Sequence, residues 1–349
     1  MSNNLTQFDH YITDDGPAAL VVREHLIPVE GADGVVFPAT FAEIGYNIDD
    51  DPNGENIALI DSVGSQSNRI EPMFAEDNYK QLVPQVVIKA GNKSVSLLEA
   101  GHRAGDAIVR CSALQQELQD AFKKLLDGDA TPLAKIAPTS LVFGVWDSRD
   151  TQAKMPRLIA STIRAYNVRK LTRSAQYVPA AEYVKSGLLD EPTDKATSEE
   201  YSKRGFIHVP ATSTHGGVIA KGGIRRDATL ALAALRLVNA GDEEKAALKL
   251  RRYILGLALV AFTRLPGGYL RQGTILVLDP DKKAEFVEVY PNGKRKPASV
   301  THEAALAYAK DAARDFGVGK DRTENFDVER AKQDIKGEGK PGGKSRKAK

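Results

Sequence analysis

A single cysteine, Cys111, stands in the whole chain. It excludes an internal disulfide and suits a reducing cytoplasm, where the protein is expected to reside. Long apolar runs are also missing. The longest, Tyr253 to Phe262, falls far short of the ~18 residues a membrane span needs. Arg252 and Arg264 bracket it, so it reads as a buried helix and no membrane partner is expected. The N-terminus lacks the basic start and apolar stretch of a signal peptide.

Complete catalytic signatures are absent. Gly343-Lys344-Ser345 resembles the end of a phosphate loop, but Glu338 holds the position of its first glycine. Gly217 and Gly222 have the right spacing, yet Gly223 replaces the lysine. Neither GxSxG nor HExxH occurs, and six scattered histidines with one cysteine give no zinc spacing. His208 and His215 lie near bases, and Asp147 and Asp150 follow an apolar stretch. Without a paired partner close in sequence, these read as structural or turn-capping groups. No catalysis, metal or cofactor is expected.

What is present is an ordinary globular composition, 42% hydrophobic and 27% charged, in a length that permits one large elaborated domain or two smaller ones. Its charge is segregated. Residues 1–61 hold twelve acids and one base, Arg23. Residues 149–173 hold seven bases and one acid, residues 215–273 ten bases and four acids, and residues 336–349 six bases and one acid. Basic blocks of this kind suit a polyanion, although clustered solvated faces give the same pattern.

Patterning predicts strands at Ala18–Val29, Ile57–Val63, Gln85–Lys89, Thr139–Trp146, Ile159–Val168, Val209–Ala220, Thr274–Leu278 and Ala284–Tyr290. It predicts helices at Ser112–Leu126, with Ser112 as cap and Gly128 as stop, at Glu243–Phe262 and at Thr301–Phe316. Residues 69–82 are also expected to be helical, and Asp227 to cap a helix over ATLALAALRLV. Residues 178–212 form an expected arm, exposed over 185–205. A single domain is expected over 1–319 and a basic, disordered tail over 320–349. Alternation without a uniform βαβ rhythm favours an α+β class, and a split βαβ, ferredoxin-like core with large insertions fits the spacing.

Two basic segments containing glycine stand out: Asp147–Arg173, and His215–Asp227 later joined by Gly267–Gly273. Glycine lets backbone approach a phosphate, and Tyr166, Tyr177 and Tyr269 supply rings for splayed bases. Each piece alone is more often a turn on a solvated face.

In order, SQSNRIEP (65–72), GHRAGDAIVR (101–110), APTSLVFGVWDSR (137–149), TQAKMPRLIASTIR (151–164), LTRSAQY (171–177), HGGVIAKGGIRRDAT (215–229) and GYLRQG (268–273) resemble the backbone subunit of type I CRISPR effector (Cascade) complexes. The branch is type I-U or I-G, the Csb family of the RAMP superfamily. The resemblance implies a modified ferredoxin-like (RRM-like) palm with finger and thumb insertions. It implies a non-catalytic subunit that oligomerises along CRISPR RNA for antiviral DNA interference. The partners implied are CRISPR RNA, the target DNA strand paired to it, further copies of the chain and other effector-complex subunits. The RNA contacts expected on that basis are Arg69, Arg103, Arg149, Lys154, Arg157, Arg173, Lys221, Arg225, Arg226 and Arg271. The alternative is an RNA-cleaving RAMP-superfamily endoribonuclease using His215 or Asp147.

Overall fold

Alternation in the first apolar stretch builds the central strand of the protein. In the computed structural model, which describes residues 5–265 and 267–336, β1 (Ala19–Pro28) buries Leu20, Val22, Glu24 and Leu26 on one face. The other principal strands are β2 (Asn56–Asp61), β3 (Ile159–Tyr166), β4 (Val168–Tyr177), β5 (Val209–Ala220), β6 (Ile224–Ala231), β7 (Thr274–Leu278) and β8 (Glu285–Val289). One side of β1 pairs with β6, from Ala19 opposite Ala231 to Leu26 opposite Ile224. Its other side is shared, β8 taking the first half and β7 the second. The sheet continues β6–β3–β2, and each of these neighbouring pairs is antiparallel. The class is therefore α+β, with a curled antiparallel sheet.

Helices α1 (Val63–Ile70), α2 (Gln115–Leu126), α3 (Thr139–Phe143), α4 (Lys195–Lys203), α5 (Glu244–Thr263), α6 (His302–Phe316) and α7 (Val328–Lys336) complete the frame. α5 is apolar nearly all round and buries every residue from Tyr253 to Phe262. It lies so close to α6 that a side chain at Gly256 would meet the Ala309 backbone at 2.8 Å. At ~1.5–3 kcal/mol for each fully buried large aliphatic side chain, burial along α5 holds the helical layer together. The larger core packs Leu20, Leu230 and Ile159 under α5, and a smaller one gathers Leu26, Ile60, Ile163 and Ile224. No helix among the described residues is long and apolar enough to cross a membrane.

β4 and β5 form a separate two-stranded arm, whose distal residues 178–208 include the capped helix α4. Its base is tied to the body by the backbone pairing of Val36 with Val218. Gly217 sits there at φ +91°, and a side chain on it would meet Val35 at 2.5 Å.

Several elements differ from the sequence reading. Thr139–Phe143 is helical, and only Val145–Trp146 is extended. All five residues of α3 are buried, so the run carries no periodicity to separate helix from strand. Residues 224–231 form a strand and the helix shrinks to Leu232–Leu235, because pairing with both β1 and β3 overrides the helix propensity of alanine and leucine. Helix in the 69–82 region begins earlier, at Val63, and gives way to 3-10 turns. Ser112 holds the turn before α2 rather than capping it, accepting from the Leu114 N–H at 3.2 Å. Of the expected disordered tail, Arg322–Asn325 pairs in parallel with Val86–Ala90 and α7 follows. Backbone hydrogen bonding, invisible in that polar composition, holds the strand. The remainder of the tail, 337–349, lies outside the described residues.

Candidate nucleic-acid interface

Between the two cores, on the covered face of the sheet, lies a buried polar layer. Asp61 closes β2 and Ser62 caps α1, so helical spacing brings Ser65, Gln66 and Arg69 back over the carboxylate. Asp61 is 0% exposed and accepts from Ser65 Oγ at 2.8 Å, Gln66 Nε2 at 2.6 Å, Arg69 Nε at 3.2 Å and Arg271 Nη2 at 2.8 Å. Arg271 also donates to the carbonyls of Phe37 and Ile60, at 3.1 and 2.9 Å. It arrives on the short strand Tyr269–Arg271, closed by Gly273 at φ +75°, where any side chain would meet the Phe37 ring at 2.5 Å.

Two grooves carry the arginines that hold this carboxylate, Arg271 in one and Arg69 in the other. One, of about 790 Å³, is lined by Phe37, Tyr46, Arg173, His215, Arg271 and Gln272. The other, of about 460 Å³, is lined by Asn68, Arg69, Arg226, Arg264, Gly268 and Tyr269, among others. Arg271 and Arg69 reach Asp61 from the two sides, which gives one basic strip with Tyr269 standing 61% exposed beside it. Burial and the neighbouring Arg69 pull the Arg271 pKa below its ordinary value, against the opposing effect of Asp61. Arg271 stays charged, so an anion here would relieve crowding between like charges.

The ten expected contacts divide into distinct groups. Arg69, Arg173 and Arg271 share the strip. Arg149 and Lys154 stand exposed by a third groove near Trp146, and Arg157 lies against Gly144 close to them. Lys221 belongs to a separate depression of about 470 Å³ beside Lys282.

Adjacent Arg225 and Arg226 point to opposite faces, as strand geometry requires. Arg226 is 5% exposed and paired with Glu24 at 2.5 Å. On the open face, Arg225 donates to Asp227 at 2.8 Å and to the Tyr166 hydroxyl at 2.7 Å. Burial raises the Asp227 pKa, but bonds from Arg225 and Arg23 outweigh it and hold the carboxyl below its ordinary value.

Arg103 is buried too, bonded to Glu71 at 2.6 Å. Both Arg103 and Arg226 are thus largely buried and ion-paired, Arg226 still lining the second groove. Arg264, Tyr46 and Phe37 are lining groups that sequence reasoning did not select. Arg264 stood in view between the apolar helix and the Gly267-Gly268 pair.

The candidate catalytic groups lie apart. Asp147 is buried and accepts from Thr151 N and Oγ1 at 2.8 and 2.7 Å, so it organises its own loop. His215 stacks on Tyr46 at 4.6 Å in the first groove. On the arm, His208 meets Glu182 at 2.9 Å. Among the described residues no cluster of His, Cys, Asp and Glu could hold a metal ion.

Burial pushes the Glu71 carboxyl up to about 7, against the pull of Arg103. With its folded pKa above the ordinary 4.5, the stability from Glu71 is fully present below 4.5 and is lost as pH rises through about 7. Removing Arg103 raises that pKa further. Arg103→Ala is therefore expected to destabilise by ~3–5 kcal/mol near pH 8, where Glu71 must either stay charged without its partner or take up a proton the unfolded chain does not hold, and by clearly less near pH 5, where Glu71 is neutral. Urea unfolding at the two pH values measures the difference, and a pH-independent loss would contradict it.

With the geometry in place, comparison identifies part of the chain. Residues 20–170 match the model of a family described as CRISPR-associated protein GSU0053. The match covers less than half of the chain and is to a CRISPR-associated family. It holds β1 to β3 and the first four of the quoted stretches, so the resemblance read in the sequence stands at that level. Arg69, Arg103, Arg149, Lys154 and Arg157 fall inside the matched segment, whereas Arg173 and Arg271 fall outside it. Comparison with curated proteins gives no match. Among solved structures, the crystal structure of Thermofilum pendens Csc2 is similar over 94% of this chain and 79% of that one. Its identity of 13% and TM-score of 0.25 are too low to argue from.

Proposed function

We propose that the protein is a non-catalytic, CRISPR RNA-binding backbone subunit of a type I effector complex, of the I-U or I-G kind, acting in the cytoplasm. The observation that carries this is the basic strip through Arg173, Arg271 and Arg69, with an exposed tyrosine alongside, in a chain whose residues 20–170 match a CRISPR-associated family. Separated guanidinium groups, tied in place from below and beside aromatic rings, suit the backbone of a single strand.

On this reading the sheet is a ferredoxin-like palm. β8, β1, β6 and β3 lie side by side, so that β6 divides β1 from the parallel β3, which supports a split βαβ. The β4–β5 arm is the thumb. Exposed N-terminal acids of one copy, Asp49 to Asp51 among them, face the basic strip of the next, and the chain repeats head to tail along the guide while the guide pairs with target DNA.

Purified protein is expected to bring RNA of uniform length with it. End-labelled guide and target strands should stay intact with and without magnesium. Discrete products that vanish in His215→Ala or Asp147→Ala protein would replace the scaffold with a nuclease.

A further inference from the structure

We propose that Trp146 and the groove beside it take one nucleotide of single-stranded RNA, with the indole stacked on the base. This rests on the RNA-binding reading above and adds a site outside the basic strip. Trp146 is the sole tryptophan of the chain. It ends the apolar run that forms α3, yet it is 56% exposed while Val145 beside it is buried. A two-residue strand pairing Trp146 with Lys154 turns the indole outward. An exposed indole forfeits the burial that makes this residue valuable in a core, which points to a ligand that covers it.

The surroundings are built rather than loose. Gly105 passes beneath the ring's backbone, where a side chain would meet the Trp146 carbonyl oxygen at 2.9 Å. Buried Asp147 fixes the loop that presents Arg149 through its bonds to Thr151 and to the Asp150 N–H. The groove encloses about 490 Å³, within the range of small-ligand sites.

Its charge favours a phosphate. Among the described residues Arg149, Lys154 and Arg157 make no ion pair, whereas Asp334 on the rim is already held by Arg110 at 2.7 Å. Lys154 Nζ lies 5.6 Å from the indole centroid. Burial and the nearby Arg103 lower the Arg157 pKa, the same crowding of cations seen at Arg271. An indole with Lys154 beside it and unpaired Arg149 on the groove wall matches one base and its phosphate. Asp150, also on the rim, disfavours a second phosphate there.

Because Trp146 is the only tryptophan, its emission reports this site alone. Full-length protein stripped of RNA is titrated with a uridine oligomer, and binding is followed in parallel by anisotropy of a labelled oligomer. The expected result is quenching with the same midpoint as the anisotropy, and none with tripolyphosphate. Trp146→Ala should bind about tenfold more weakly, while Trp146→Phe, which keeps a ring, retains most of the affinity. Binding without quenching, equal quenching by tripolyphosphate, or unchanged affinity in Trp146→Ala would overturn the site and leave the scaffold reading intact. No binding by either readout would remove both.

Discussion

Arg226→Ala is expected to lower the unfolding free energy by about 3–5 kcal/mol, because it leaves the Glu24 carboxylate buried and unpaired between the two cores. Arg225→Ala, one residue away, should cost about 1 kcal/mol or less, since its guanidinium is partly solvated and Asp227 keeps Arg23 at 3.1 Å. Urea unfolding of the two variants measures the contrast directly. Replacing both members of the buried pair, as Glu24→Leu with Arg226→Met, should recover most of the loss, because the larger part of it comes from the stranded charge. Equal losses for Arg225→Ala and Arg226→Ala would refute the facing of β6. A double alanine change at 225 and 226 therefore tests folding more than RNA binding.

Alanine at Arg69, Arg173 and Arg271 together should weaken single-stranded RNA binding by on the order of a thousandfold or more at low salt, given ~1.5–3 kcal/mol for each charge-assisted bond. The slope of log affinity against log salt should fall by about 2, from ~0.7 per lost phosphate contact. Asp61 complicates the plain triple variant, since removing two of its partners leaves a fully buried carboxylate. The measurement is therefore made in an Asp61→Asn background, which keeps an acceptor for Ser65 and removes the charge. An unchanged salt slope in a folded variant would exclude the strip as the RNA track.

Much of the frame was legible where periodicity was unambiguous. β1 alternates in burial through all ten of its residues, α5 carries a long apolar run from Tyr253 to Phe262, and Thr301 caps α6 through the Ala304 N–H. The failures share a cause. In 139–143 burial on every side erased the period, and in 224–231 a sequence rich in alanine and leucine was drawn into the sheet by two neighbouring strands. Arg225 and Arg226 lay before the expected helix and in no expected strand, so their split between two faces was not read. Neighbours in a helix lie about 100° apart, whereas neighbours in a strand face opposite sides.

By itself, then, the sequence determined which residues are apolar enough to build the cores, where its charge concentrates, and the stretches through which residues 20–170 resemble a CRISPR-associated family. Only the tertiary structure decided which arginines are available to a polyanion. Arg226 is withdrawn by Glu24, 202 positions away, Arg103 by Glu71 across 32, and Arg271 is held at the groove by Asp61 across 210. Local pattern carries a side chain's chemistry, but its desolvation and partner are set by segments that meet only on folding.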